Sequence, residues 1–365
     1  MPVSATDAID VAMRHAKAQL FQPFRFGQWW RLALVGLLAG EMGSAGGCNS
    51  NVNLPGRNFP WPGHQTGSSH IHNALLPSQW ANDPARVAGV VAILLVAGLA
   101  LLVIFTYVSS VMRFVLFDSI IAKECHIRAG WARRRQPGFR LFVWRILFLL
   151  VSSAAFLIVI GVPVGCAWAL GWFVHPGEHI LRLMLAGLLL LVIFLVIALV
   201  AAVIQVMTKD FVVPQMALED ISAFEGWRRL WLWLKNDKGG YAGYVAMKIV
   251  LAIGAAIVFA IVTAVALLFL LIPIGGAGVA AVLAAKAAGW TWTAQTIALA
   301  AVAGCIALAI LVFAAALIYV PAVVFLPAYS IYFFAPRYAL LAALLWPQPP
   351  PASSPPDSAE PAPAL

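Results

Sequence analysis

"LMLAGLLLLVIFLVIALVAAVIQVMT", residues 183–208, runs for 26 residues without an Asp, Glu, Lys or Arg. A helix rises about 1.5 Å per residue, so about 20 apolar residues cross a hydrocarbon core about 30 Å thick. Working outward, Ile249–Ala285 and Ala287–Pro336 are equally free of charge and longer. The whole chain is 63% hydrophobic and 10% charged, where soluble domains hold about 45–50% apolar and about 25% charged residues. In water such a chain would expose large apolar patches and aggregate. The expected fold is therefore all-α, a polytopic transmembrane helix bundle.

Six spans are expected, roughly Gly27–Gly46, Val87–Phe117, Leu141–Val174, Ile180–Met207, Tyr241–Ile274 and Gln295–Pro321. They make residues 27–336 a membrane domain, with an outer loop at 48–85 and basic inner loops at 118–140 and 208–240. Residues 1–26 read as an amphipathic cytoplasmic segment. Residues 337–365 read as a Pro-rich, disordered cytoplasmic tail that cannot bury a core. Of the 23 Lys and Arg residues, 19 fall on the side of the termini; only Arg57, Arg86, Arg182 and Lys286 fall on the other. Cytoplasmic loops are enriched in Lys and Arg, so both termini are expected inside a cell (inner) membrane. The formal charge of +9 does not point to nucleic acid, because nucleic-acid binders gather their basic residues on one solvated domain. Cys48, Cys125, Cys166 and Cys305 form no CxxC pair, so no zinc site, disulfide framework or other cofactor is expected. Residues 1–28 lack the apolar core and cleavage site of a signal peptide.

The inner loops carry an echo. Gly130-Trp131 precedes Arg133, Arg134, Arg135 and Arg140; Gly226-Trp227 precedes Arg228 and Arg229. Such clusters anchor topology, and they also attract anionic headgroups, about 1 kcal/mol per cation. One reading makes the six arginines a single lipid-binding collar, with Trp131 and Trp227 at headgroup depth. Ser222-x-x-Glu225 forms a capping box ahead of Phe224, Trp227, Leu230, Trp231 and Leu234. That aromatic stripe with cationic flanks reads as an interfacial amphipathic helix, or as one packed on the spans. Ile9, Ala12, Met13, Ala16 and Leu20 repeat the pattern more weakly. Each odd span opens with a large side chain and a cation, Trp30-Arg31, Trp144-Arg145 and Met247-Lys248, which also fits three tandem helical hairpins, although plain anchoring produces the same echoes.

"PFRFGQWWRLALVGLLAG", "FVLFDSIIAK" with "GWARR", and "DFVVPQMALEDISAFEGWRRL" together resemble an uncharacterised six-span family of bacterial and archaeal membrane proteins, a domain of unknown function. That family is distantly similar to the membrane-spanning domain fused to some glycerophosphodiester phosphodiesterases. The resemblance covers nearly the whole chain except the tail. It implies the fold and supplies no mechanism, because no phosphodiesterase domain is present.

Few residues point to chemistry. His175-Pro-Gly-Glu178-His179 matches H-x-x-E-H in letters, but Pro176 and Gly177 deny it the helix that would align the two histidines. His64, His70, His72, His175 and His179 all fall on the outer side and read as solvated loop residues, so no metal is expected. Glu41, about ten residues beyond Arg31, lies near mid-membrane if the first span continues, and a carboxylate there marks an ion or proton site. If that span ends early, Glu41 is wet. Lys209-Asp210, Glu219-Asp220 and Asp237-Lys238 read as solvated loop charges. The expected role is non-enzymatic: binding anionic membrane lipids or scaffolding a membrane protein partner. A small transporter with a site near Glu41 is the alternative.

Overall fold

The computed structural model describes residues 4–42, 84–172, 180–289 and 294–347. Among them every regular element is helical: α1 (Asp7–Phe21), α2 (Phe26–Ala39), α3 (Pro84–Ala122), α4 (Ile127–Ala169), α5 (Ile180–Met207), a π-helical turn (Thr208–Val212), α6 (Val213–Glu219), α7 (Ala223–Asn236), α8 (Lys238–Ala287), α9 (Ala294–Phe334) and α10 (Ala339–Leu345). Helices α3, α4, α8 and α9, and α5 with its extension to Glu219, are long and apolar enough to cross a membrane. These are the features of a membrane protein.

The packed core lies at one end of the long helices. Phe211 touches the rings of Tyr241, Tyr244 and Phe334 at 5.0–5.2 Å between centroids, and Tyr244 stacks on Phe333 at 4.5 Å. Leu32, Phe114, Leu141, Met216 and Leu230 complete this buried cluster. Helix α2 packs against α3 and α9, α3 against α4, and α8 against α9. Two close crossings depend on a missing side chain. A Cβ at Gly36 would stand 2.5 Å from Val323, and one at Gly138 would stand 3.0 Å from the Val111 backbone. Beyond this end the helices turn their apolar residues outward: Leu157 is 69% exposed, Leu188 59% and Phe269 72%. That surface needs lipid around it.

The described residues cover 27–42 of the first expected span, 27–46, and a turn at Gly40 divides them. Helix α2 has 14 residues and stops at Gly40 in the left-handed region (φ 76). Its rise of about 21 Å falls short of a hydrocarbon core of about 30 Å. Residues 43–46, the outer loop from 48 to 83 and all five outer histidines lie outside the described residues. The tail boundary at 337 is also corrected. Arg337 bonds Asp237 at 2.9 Å and covers the Phe333 ring at 4.1 Å. Helix α10 follows, with Leu341 fully buried; residues 348–365 lie outside the described residues. Pro163, Pro273, Pro321 and Pro327 sit inside continuous helices and break none of them.

Helix α1 does not lie free in a headgroup plane. Ala8, Ala12, Ala16 and Leu20 are buried, and the helix packs on α9. His15 Nε2 donates to the Ile120 carbonyl at 3.0 Å, so Nδ1 of the neutral ring accepts from the Tyr332 hydroxyl at 3.0 Å. Burial, and then the nearby Lys123 cation, push the His15 pKa below its ordinary 6.5. Undocked, His15 takes up a proton near that ordinary value; docked, it does so only at lower pH. Docking is therefore fully stable above about pH 6.5 and weakens as the pH falls toward the docked pKa. The protection factors of the α1 amides, which divide out the intrinsic fall of exchange with pH, should be smaller at about pH 5 than at about pH 7.5, and His15→Gln should flatten that difference. An unchanged difference in the variant would remove His15 as its source.

Candidate functional site

A buried polar layer forms where the apolar helices meet the packed end. Helix α2 terminates at Gly40, which leaves its last carbonyls without helical partners. The Ala39 carbonyl accepts from Arg113 Nη2 at 2.8 Å and from Ser109 Oγ at 3.3 Å. The turn delivers Glu41 into the protein, 4% exposed, where it forms an ion pair with Lys209 and lies 3.7 Å from Arg113 Nη2. An early end of the helix is expected to leave Glu41 wet. The helix does end early, yet Glu41 is dry, because α3 and the π-helical turn close over it.

Lys209 and its neighbour Asp210 are both enclosed, contrary to the reading of solvated loop charges. The π-helical turn that carries them, Thr208–Val212, inserts an extra residue into the helix, as such turns do at functional positions. Lys209 faces Glu41, and Asp210 faces Lys248 of α8, its ion-pair partner. The Tyr244 hydroxyl lies 2.8 Å from Asp210 Oδ2 and 2.7 Å from Ser330 Oγ. Lys248 Nζ also donates to Ser330 Oγ at 3.0 Å. The sequence held one signal for this pair: two charges set between a 26-residue apolar run and "FVVP" have little water to face.

Beside the layer lies a cavity of about 730 Å³ between the α2 terminus, α3, α4 and α5. Arg113, Arg145 and Lys209 line it, with Ser109, Trp144 and Gln205. Arg145 Nη1 reaches the hydroxyls of Ser109 and Ser110 at 3.1 and 3.3 Å. No carboxylate among the described residues forms a salt bridge with it. Arg113 Nε is buried without an acceptor.

The two arginine-rich loops do meet, through contacts that occupy most of their arginines. Arg134 grips Asp118 with two bonds of 2.7 Å and the Ala217 carbonyl at 2.6 Å. Arg140 bonds the Asp220 carbonyl at 2.5 Å and its carboxylate at 3.1 Å. Arg229 bonds Glu219 and Glu225, and Arg228 bonds Glu225. These bonds hold the Glu225 carboxyl below the usual range, Arg228 contributing first. Arg133 and Arg135 stay exposed. Trp131 lies edge-on to Tyr107 at 6.0 Å, and Trp227 Nε1 donates to Thr208 Oγ1 at 3.1 Å; both indoles pack against the core. Ser222 Oγ accepts from the Glu225 N–H at 3.3 Å and caps α7, whose Phe224 and Trp231 remain more than half exposed.

No curated protein and no solved structure matches this chain. Residues 3–344 match the model of a family described as a family of unknown function, DUF7544. The match covers nearly all of the chain that folds into this core and polar layer, and the chain belongs to that family.

Proposed function

We propose that this chain is a non-enzymatic multi-pass protein of the cytoplasmic membrane that holds anionic lipid at the inner face. The observation that carries the reading is the layer of Arg113, Arg145, Lys209 and Lys248. Each stands where the apolar run of its own helix ends, so the layer marks one headgroup level. Cytoplasmic boundaries collect Lys and Arg, which puts the packed end inside. The exposed Arg133 and Arg135 face the same water layer and add to the attraction for anionic lipid. The buried acids of the layer are engaged with cations in ion pairs, which supports a structural role for them over a catalytic one.

Six passages suit this orientation better than five. His15 bonds residues at the inner ends of α3 and α9, and α10 follows α9 at that same end. The N-terminal helix thus starts where the last long helix finishes. Five long helices reverse sides an odd number of times, so a further passage before α3 belongs with the first expected span, 27–46. Its test is cysteine labelling in a background without the four native cysteines. Ser69→Cys should react only with reagent added outside, and Ala132→Cys only after the membrane is opened. Labelling of both from one side would overturn the six-passage reading.

A further inference from the structure

We propose that the cavity between the α2 terminus, α3, α4 and α5 is an intramembrane site for the phosphate-bearing head of an anionic lipid, whose acyl chains lie along the outer parts of α4 and α5. The site rests on the membrane placement above and makes its lipid contact specific.

Charge comes first. Arg113, Arg145 and Lys209 face the cavity, and Glu41 is the carboxylate paired with this group. Three cations less one anion leave a surplus of two. Asp210 does not reduce it, because its partner is Lys248. Guanidinium groups away from bulk water need a counter-charge or acceptors. Among the described residues Arg145 has only two serine hydroxyls, and Arg113 Nε has no acceptor. A phosphate offers several oxygens, and the planar arginine fork can meet two of them at once. Ser109 and Gln205 add polar groups to the wall.

Shape then selects an amphiphile. A volume of about 730 Å³ suits a headgroup, within the span of about 300–1,000 Å³ usual for ligand pockets. The cavity is not closed on its lipid side. Leu149 lines it and is 52% exposed, and the adjoining α5 residues Leu199 and Val200 are 61% and 52% exposed. A chain leaving the cavity between α4 and α5 therefore meets apolar surface. A free anion would use the cations and leave that surface idle.

The test uses the full chain in nanodiscs of phosphatidylcholine, with and without phosphatidylglycerol, and a third arm of phosphatidylcholine plus inorganic phosphate. Thermal unfolding and native mass spectrometry report protection and retained lipid. Phosphatidylglycerol should protect the unaltered protein and remain bound. Arg145→Met should weaken retention about tenfold, the loss expected for one charge-assisted interaction, and Arg145→Lys should recover part of it. Ser152→Trp fills the cavity without touching a charge and should lose retention as well, which separates occupancy from a folding defect. Arg14→Gln, at a side chain 71% exposed and paired with Asp10, should retain lipid as the unaltered protein does. Retention by Arg145→Met and by Ser152→Trp equal to that of the unaltered protein would overturn the site. Protection by inorganic phosphate that phosphatidylglycerol does not exceed would overturn the lipid assignment. Failure of the membrane placement reads out separately, in the labelling of Ser69→Cys and Ala132→Cys.

Discussion

Asp210→Ala should lower stability by about 3–5 kcal/mol, the usual cost of stripping one partner from a buried ion pair. Asp210 is 4% exposed and its partner Lys248 9%. Without the carboxylate, the ammonium keeps only the neutral hydroxyls of Tyr244 and Ser330, at 3.2 and 3.0 Å. The loss should appear in unfolding by sodium dodecyl sulfate titrated into mild-detergent micelles. Asp210→Ala with Lys248→Met should recover most of it, since replacing both members of a buried pair by apolar groups is often neutral. Asp10→Ala is the control: its pair with Arg14 is more than 70% exposed on both sides, and such pairs contribute about 0–1 kcal/mol. An Asp210 variant no weaker than that control would mean water reaches the pair.

This pair and the Arg113–Glu41–Lys209 group share a cause that extends through the fold. Arg113 of α3, Lys209 after α5 and Lys248 of α8 stand at the level where the apolar runs end, and Glu41 and Asp210 on neighbouring elements supply the opposite charge. The apolar runs were legible because hydropathy along a single helix is a local property. The cations at their ends were legible too, and read as topology anchors. Their partners were not, because Lys209 meets a glutamate 168 positions earlier in the sequence, and nothing in "TKDFVV" indicates that a π-helical turn aims its two charges apart. The amphipathic stripe of α1 was visible, but whether Ala12 and Ala16 faced headgroups or protein depended on where α9 lay. The arginine clusters were found at the right positions, yet Arg134, Arg140 and Arg229 spend their forks on Asp118, Asp220 and Glu219. Spacing along the chain carried no sign of those distant carboxylates.

Glu41→Ala tests the other half of the layer and should behave differently from Asp210→Ala. Glu41 is paired with Lys209 and lies 3.7 Å from Arg113; removing it takes away the carboxylate that faces both cations, while Asp210 stays engaged with Lys248. In neutral detergent the cost should again be about 3–5 kcal/mol. Added salt should restore little, because ions screen exposed charges far more than buried ones. The double variant separates the two groups. Glu41→Ala with Lys209→Met still deprives Arg113 of the carboxylate 3.7 Å away, so it should recover only part of the loss, whereas Asp210→Ala with Lys248→Met removes the carboxylate together with its ion-pair partner and should recover nearly all. Phosphatidylglycerol, absent from the first measurement, should then stabilise the Glu41→Ala protein more than the unaltered one, because a phosphate in the cavity takes over part of the missing counter-charge. A silent Glu41→Ala would mean that the carboxylate stands in water, as it would if the end of α2 opened to the outer side. A complete recovery in the Glu41–Lys209 double variant would mean that Arg113 and Arg145 have counter-charges of their own, and the surplus that calls for an anion would be gone.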